Sequence, residues 1–178
     1  MLDRRSLLVA SALTPLFGGA RAQAAWAQTE KAARGQKVFF NAWGGSDRIN
    51  AYLQWAGAEV ARLHGVKLEH VKLSDTAEVV RRVRAEKSAG RAEGSADLLW
   101  INGANFLAMK REGLLFGPFA EALPSYAFVD TVGKPTTRTD FSEPVEGMEA
   151  PWGMAQLTYY ADAAVVPQPP HNIAELLD

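Results

Sequence analysis

The 178-residue chain contains no cysteine. That excludes disulfides, thiolate metal sites and cysteine nucleophiles. Histidine is scarce: His64, His70 and His171 stand far apart, without partners at metal-ligand spacing. No charge of either sign dominates, because 19 Lys and Arg face 20 Asp and Glu for a formal net charge of −1. There is therefore no electrostatic case for nucleic acid or an anionic membrane surface as a partner. Internal repeats and low-complexity tracts are missing too. No phosphate-binding G-x-x-x-x-G-K-[ST] loop occurs, and no G-x-G-x-x-G follows the first strand. Gly44-Gly45-Ser46-Asp47-Arg48 is not a nucleophile elbow, which needs Gly two residues after the Ser. What is present is ordinary globular material, 48% apolar and 22% charged with 10% aromatic residues. The length suits one domain, or one domain with a fragment of a second.

The N-terminus reads as an export signal. Arg4-Arg5 precede the apolar run Leu7–Phe17, and Gly18-Gly19-Ala20-Arg21-Ala22-Gln23-Ala24 supplies small residues for cleavage after Ala22 or Ala24. The run is too short to span a bilayer, which takes about 20 apolar residues. The paired arginines before Ser6-Leu7-Leu8 resemble a twin-arginine signal; an ordinary secretory signal is the alternative. Both routes lead out of the cytoplasm and predict a periplasmic protein. Removing residues 1–22 takes away three Arg and one Asp, leaving 16 basic and 19 acidic residues, a net of −3.

Beyond the signal, Lys37–Ala42 reads as a buried strand ending in Trp43-Gly44-Gly45, with Ser46 as a helix N-cap. Ile49, Tyr52, Leu53, Ala56, Val60 and Leu63 recur at spacings of three and four, the inward stripe of an amphipathic helix that Gly65 closes. Val66–Leu73 alternates as a second strand. Asp75-Thr76-Ala77-Glu78 then opens a second helix with a capping box, turning Val79, Val80 and Val83 inward, and the charges between Arg81 and Glu93 form its solvated face. Asp97–Asn102, apolar on both faces in its middle, is expected to be a central parallel strand. Gly103–Glu112 is a third, short helix. From Leu114 to Pro151 there is no clear periodicity. Gly153–Ala161 reads as another strand, Pro167–Pro170 as a stiff linker, and Asn172–Asp178 as a helix start at which the chain looks cut off. The fold class is α/β, an open, mostly parallel sheet flanked by helices.

Ligands of such sheets bind beyond the carboxyl ends of the strands, where helices begin. Two turns qualify. Trp43-Gly44-Gly45-Ser46 offers two glycines for close backbone approach, a hydroxyl and an aromatic face; Asn102-Gly103-Ala104-Asn105 offers two amides at a second helix start. Helix N-termini argue for an anionic or polar group, and tryptophan for a ring or a cation. The competing interpretation makes both segments plain tight turns, with Ser46 and Asn105 as caps and Trp43 at the core rim.

The segments Phe40–Ser46, Tyr52–Trp55, Asp97–Phe106 and Pro151–Thr158 resemble extracellular solute-binding proteins of bacterial ABC importers, in their YnjB-like branch. The resemblance implies a periplasmic-binding-protein type II lobe over residues 25–152, a crossover strand over 153–166 and the start of a largely missing second lobe over 167–178, after a signal over 1–24. It also implies a small-molecule solute bound between two lobes, permease subunits of the inner membrane as partners, a monomer, no cofactor and no catalysis. Trp43, Gly44, Gly45, Ser46, Asn102, Gly103 and Asn105 would face the cleft as ligand-binding residues, and so would Trp152, which leads into the crossover. The rival readings are a secreted α/β hydrolase using Ser46 or Asp47, and a non-functional truncated product.

Overall fold

The computed structural model of the chain describes residues 26–153, 160–172 and 174–176. After a helical lead-in at residues 26–33, strand β1 (Lys37–Trp43) pairs in parallel with β2 (Lys67–Leu73) along its whole length, from Lys37 opposite Lys67 to Trp43 opposite Leu73. On its other side β1 pairs in parallel with β3 (Leu98–Leu99). The sheet order is β2-β1-β3. The first crossover is helix α1 (Asp47–His64), the second α2 (Thr76–Ser88), and α3 (Gly103–Arg111) follows β3.

The local signals act as read. The Ser46 side chain accepts the Ile49 amide at the start of α1, and Gly65 closes the helix with φ 67°, where any side chain would be strained. Asp75 and Glu78 form the full capping box of α2. Leu53 of α1, Val79 and Val80 of α2, and Phe106 and Met109 of α3 are buried in the core with Ala42 and Leu73. Tyr52 and Leu63 are not: both stay about half exposed, at 47% and 52%, although the helical spacing puts them on the inward stripe.

Two further expectations change. Among the described residues the third strand is short and stands at the edge of the sheet, where a central strand was expected. Only Leu98 and Leu99 pair as strand, extended by the Asp97 amide donating to the Phe39 carbonyl (3.2 Å) and the Trp100 amide to Asn41 (2.9 Å). Leu98 is 43% exposed, and among the described residues no strand lies beyond it. The central strand is β1, where Asn41 and Ala42 are fully buried. The charged face of α2 is also more than solvated. Arg84 forks onto Glu112 with two contacts of 2.6 Å, Lys87 donates to the Gly113 carbonyl at 2.6 Å, and Arg82 donates to the buried Asn41 amide oxygen. These contacts tie α2 to the end of α3 and to the central strand.

The stretch without periodicity folds into three short 3-10 turns (Ala120–Ala122, Pro124–Phe128 and Pro135–Arg138) and a hairpin of β4 (Thr139–Asp140) and β5 (Glu143–Pro144). Lys110 of α3 holds the hairpin through Glu143 and Glu146, both at 3.0 Å, and the Pro144 carbonyl at 2.5 Å. The export signal lies outside the described residues, as do residues 154–159, the middle of the expected strand Gly153–Ala161. Residues 160–166 carry a turn in which Val165 and Val166 donate to the Asp162 carbonyl. In the linker region Asn172 accepts the Glu175 amide (3.1 Å) and starts a 3-10 turn, Ala174–Leu176. Among the described residues no helix is long and apolar enough to cross a membrane.

Candidate functional site

All three strands run the same way, so their carboxyl ends and the three helix starts share one edge of the sheet. Two adjoining recesses open there. The larger, about 390 Å³, is lined by Trp43, Ser74, Asp75, Thr76, Trp100, Asn102 and Asn105. The smaller, about 370 Å³, is lined by Trp43, Gly44, Gly45, Lys72, Leu73 and Ser74. Trp43 is common to both. The two turns singled out from sequence thus meet at one edge, with Trp43, Asn102 and Asn105 in one recess and Gly44 and Gly45 next door.

The Gly44-Gly45 pair has an internal reason. A Cβ on Gly44 would stand 2.8 Å from Cβ of Lys72, and one on Gly45 would overlap the Trp43 indole. The space that glycine leaves open is filled by the chain's own side chains, with Trp43 folded back over the turn. The Ser46 hydroxyl is engaged as the α1 cap, and Asn50 donates to the Gly44 carbonyl at 2.9 Å. The amide side chains of Asn102 and Asn105 make no hydrogen bond among the described residues: Asn102 stands at the α3 N-cap position but does not cap with its side chain. Each therefore keeps two donors and one acceptor for something else.

Two features were not legible as site residues. The second βα turn, Ser74-Asp75-Thr76, lines the larger recess while it caps α2. Trp100, read as part of a strand, lines it as well and bonds through its carbonyl to the Thr76 hydroxyl at 3.3 Å. Beside it runs a row of aromatics: Trp100 meets Trp152 edge-on with centroids 4.8 Å apart, Trp152 meets Tyr52 at 5.8 Å, and Tyr52 meets Trp55 at 5.7 Å. Trp152, expected at the cleft, lines neither recess and touches only Trp100 of the residues that line the larger one. Its contact with Tyr52 also accounts for the exposed position of that residue, which packs outward against a ring 100 residues away in the chain.

The helix starts of this edge carry carboxylates of the chain itself. The Gly103 amide, the first of α3, donates to the Asp140 carboxylate at 2.6 Å. The Asp75 carboxylate takes the Ala77 amide of α2 at 2.8 Å, and Asp47 sits in the first turn of α1. Each helix start on this edge already has a carboxylate of the chain itself near its positive end. Beside Asp140, burial raises the Glu149 carboxyl from 4.5 to about 7, and the Asp140 charge adds to the effect. Among the described residues no three His, Asp or Glu cluster. His64 lies near Glu30 (3.6 Å) at the far end of α1, and His70 contacts the Ala42 carbonyl at 3.2 Å.

No protein-family model matches the sequence. Over 167 residues the chain is 44% identical to Protein YnjB of Escherichia coli (strain K12). The match takes in 93% of this chain and 42% of that protein, so the chain spans less than half of its relative's length. The relative's name specifies no ligand and no activity.

Proposed function

We propose that the chain is the solute-binding part of a bacterial ABC importer, a periplasmic-binding-protein type II lobe. It takes a small solute at the carboxyl edge of its sheet and delivers it to permease subunits of the inner membrane. The observation that carries this reading is a recess at the carboxyl edge where Trp43 at the end of β1, the Ser74–Thr76 turn, Trp100, Asn102 and Asn105 come together. Small-molecule sites have this make-up, apolar and aromatic walls with a few placed polar groups. The partnership with a permease rests on the resemblance of the segments Phe40–Ser46, Asp97–Phe106 and Pro151–Thr158 to such binding proteins. For the rival hydrolase using Ser46 or Asp47 no supporting contact appears among the described residues: Ser46 accepts the Ile49 amide at the start of α1, His64 lies near Glu30 and His70 contacts the Ala42 carbonyl.

The test is titration of the purified chain with a panel of sugars, amino acids, organic acids and heteroaromatic compounds, followed by tryptophan fluorescence. Saturable quenching by one class, lost on Asn102→Ala with Asn105→Ala, is the expected outcome. Turnover of an ester or phosphate substrate that requires Ser46, without saturable solute binding, would sink the reading.

A further inference from the structure

We infer that the solute of this site carries a flat heteroaromatic ring and no net negative charge. The inference deepens the solute-binding reading and rests on it. Three observations point the same way. Trp43 and Trp100 both line the larger recess, and indole faces attract flat rings and cations. Asn102 and Asn105 line it too, with amides that make no hydrogen bond among the described residues. An amide is neutral and offers donors and an acceptor side by side, a match for a ring whose rim alternates nitrogen and carbonyl or amino groups. A recess of about 390 Å³ lies at the small end of ligand pockets, which run from about 300 to 1,000 Å³, and suits a compound of one or two rings.

The charge follows from what occupies the helix starts. An anion would ordinarily be drawn to exposed N-terminal amides. Here the first amide of α3 is taken by Asp140 and the α2 start by Asp75. Asp75 is the one ionisable residue lining the larger recess, and Lys72, the one cation lining either, belongs to the smaller recess, with its stem against Gly44. An anionic ligand would thus meet Asp75 with no cation lining the same recess. A like charge about 6 Å away at an effective dielectric of about 40 weakens binding about tenfold.

The experiment is calorimetric titration of the full chain with probes matched in ring and different in charge. Nicotinamide, 1-methylnicotinamide and nicotinate form one series, uracil and orotate a second, and glucose, choline and citrate serve as controls without an aromatic ring. The expected result is binding of at least one neutral or cationic ring, with its anionic counterpart at least about tenfold weaker. Trp100→Leu should abolish binding. Asp75→Asn, which can keep the helix cap, should remove most of the penalty on the anion while the fold persists by circular dichroism. An anionic ring that binds as tightly as its neutral partner overturns the inference, as does binding that survives Trp100→Leu unchanged. Glucose, choline or citrate bound in preference to every ring overturns it while the solute-binding reading stands. Failure of all probes, at millimolar concentration, overturns both.

Discussion

Glu149 should make the protein less stable as pH rises through neutrality. Its carboxyl is raised from 4.5 to about 7, chiefly because burial penalises the charged form and further because Asp140 lies beside it. Between those two values the folded chain holds a proton that the unfolded chain releases. The folded state therefore binds more protons, and stability falls as pH climbs across that window, then levels off above it. The full shift corresponds to about 3 kcal/mol, at about 1.4 kcal/mol per pH unit. Glu149 is only partly buried, so solvent screening reduces the expected loss to about 1 kcal/mol. Glu149→Gln keeps the shape and removes the titration. Urea unfolding followed by tryptophan fluorescence, run on parent and variant from about pH 5 to pH 8, isolates the group, because every other acid is common to both. Glu69, Glu78, Glu86 and Glu112 are all lowered by hydrogen-bond partners, so their contributions are lost only as pH falls below about 4.5, outside the window. The variant should match the parent near pH 5 and exceed it by about 1 kcal/mol near pH 8. A difference that stays flat across this range, or that grows toward acid pH, would refute the reasoning.

Gly45→Val should push the Trp43 indole off the turn and so out of both recesses; near-ultraviolet circular dichroism should change and solute binding should fall, with a stability loss of about 1 kcal/mol. Unchanged Trp43 signals and unchanged binding would show that the ring is not held there. Asn41→Leu should cost about 3 kcal/mol in chemical denaturation, because Arg82 is left without its acceptor against the central strand while its Nε already lacks one. Adding Arg82→Met should recover most of that loss, and a double variant no better than the single one would contradict the pairing. Replacing Arg4 and Arg5 by Lys should leave the precursor in the cytoplasm on cell fractionation if export uses the twin-arginine route, whereas unchanged periplasmic accumulation would point to general secretion.

The elements that were legible in the sequence are those whose signals are local. Ser46, Gly65 and the Asp75–Glu78 box act within four residues of where they stand: α1 begins and ends, and α2 begins, where those residues say. Two of the three turns that build the site were legible for a related reason: a parallel strand followed by a helix must expose its turn at the carboxyl edge. What was hidden depends on partners far away in the chain. Whether Leu98-Leu99 lies at the centre or the edge is decided by what pairs beyond it, and apolar composition alone is silent on that. Tyr52 fits the inward stripe by spacing, yet its ring turns to Trp152. Gly45 looks like room for a ligand until Trp43 is seen lying over it.

The largest such effect comes from the stretch with the least sequence texture. Asp140 reaches the start of α3 across 37 residues, from a hairpin whose two tip residues, Phe141 and Ser142, hold φ of 49° and 63° without being glycine. Such conformations cost about 1 kcal/mol or more each and persist only where the surroundings fix them. Here the surroundings are identifiable: buried Val145 just past the hairpin, and Lys110 of α3 gripping Glu143, Glu146 and the Pro144 carbonyl. The same helix that receives Asp140 at its first amide thus holds the hairpin near its other end. The two attachments brace each other and fix the carboxylate where an anionic ligand would otherwise sit. From the turns alone, the helix starts read as a seat for an anionic or polar group. With the hairpin in place, that seat on α3 is taken, and the recess beside it is lined by two indoles and two amides.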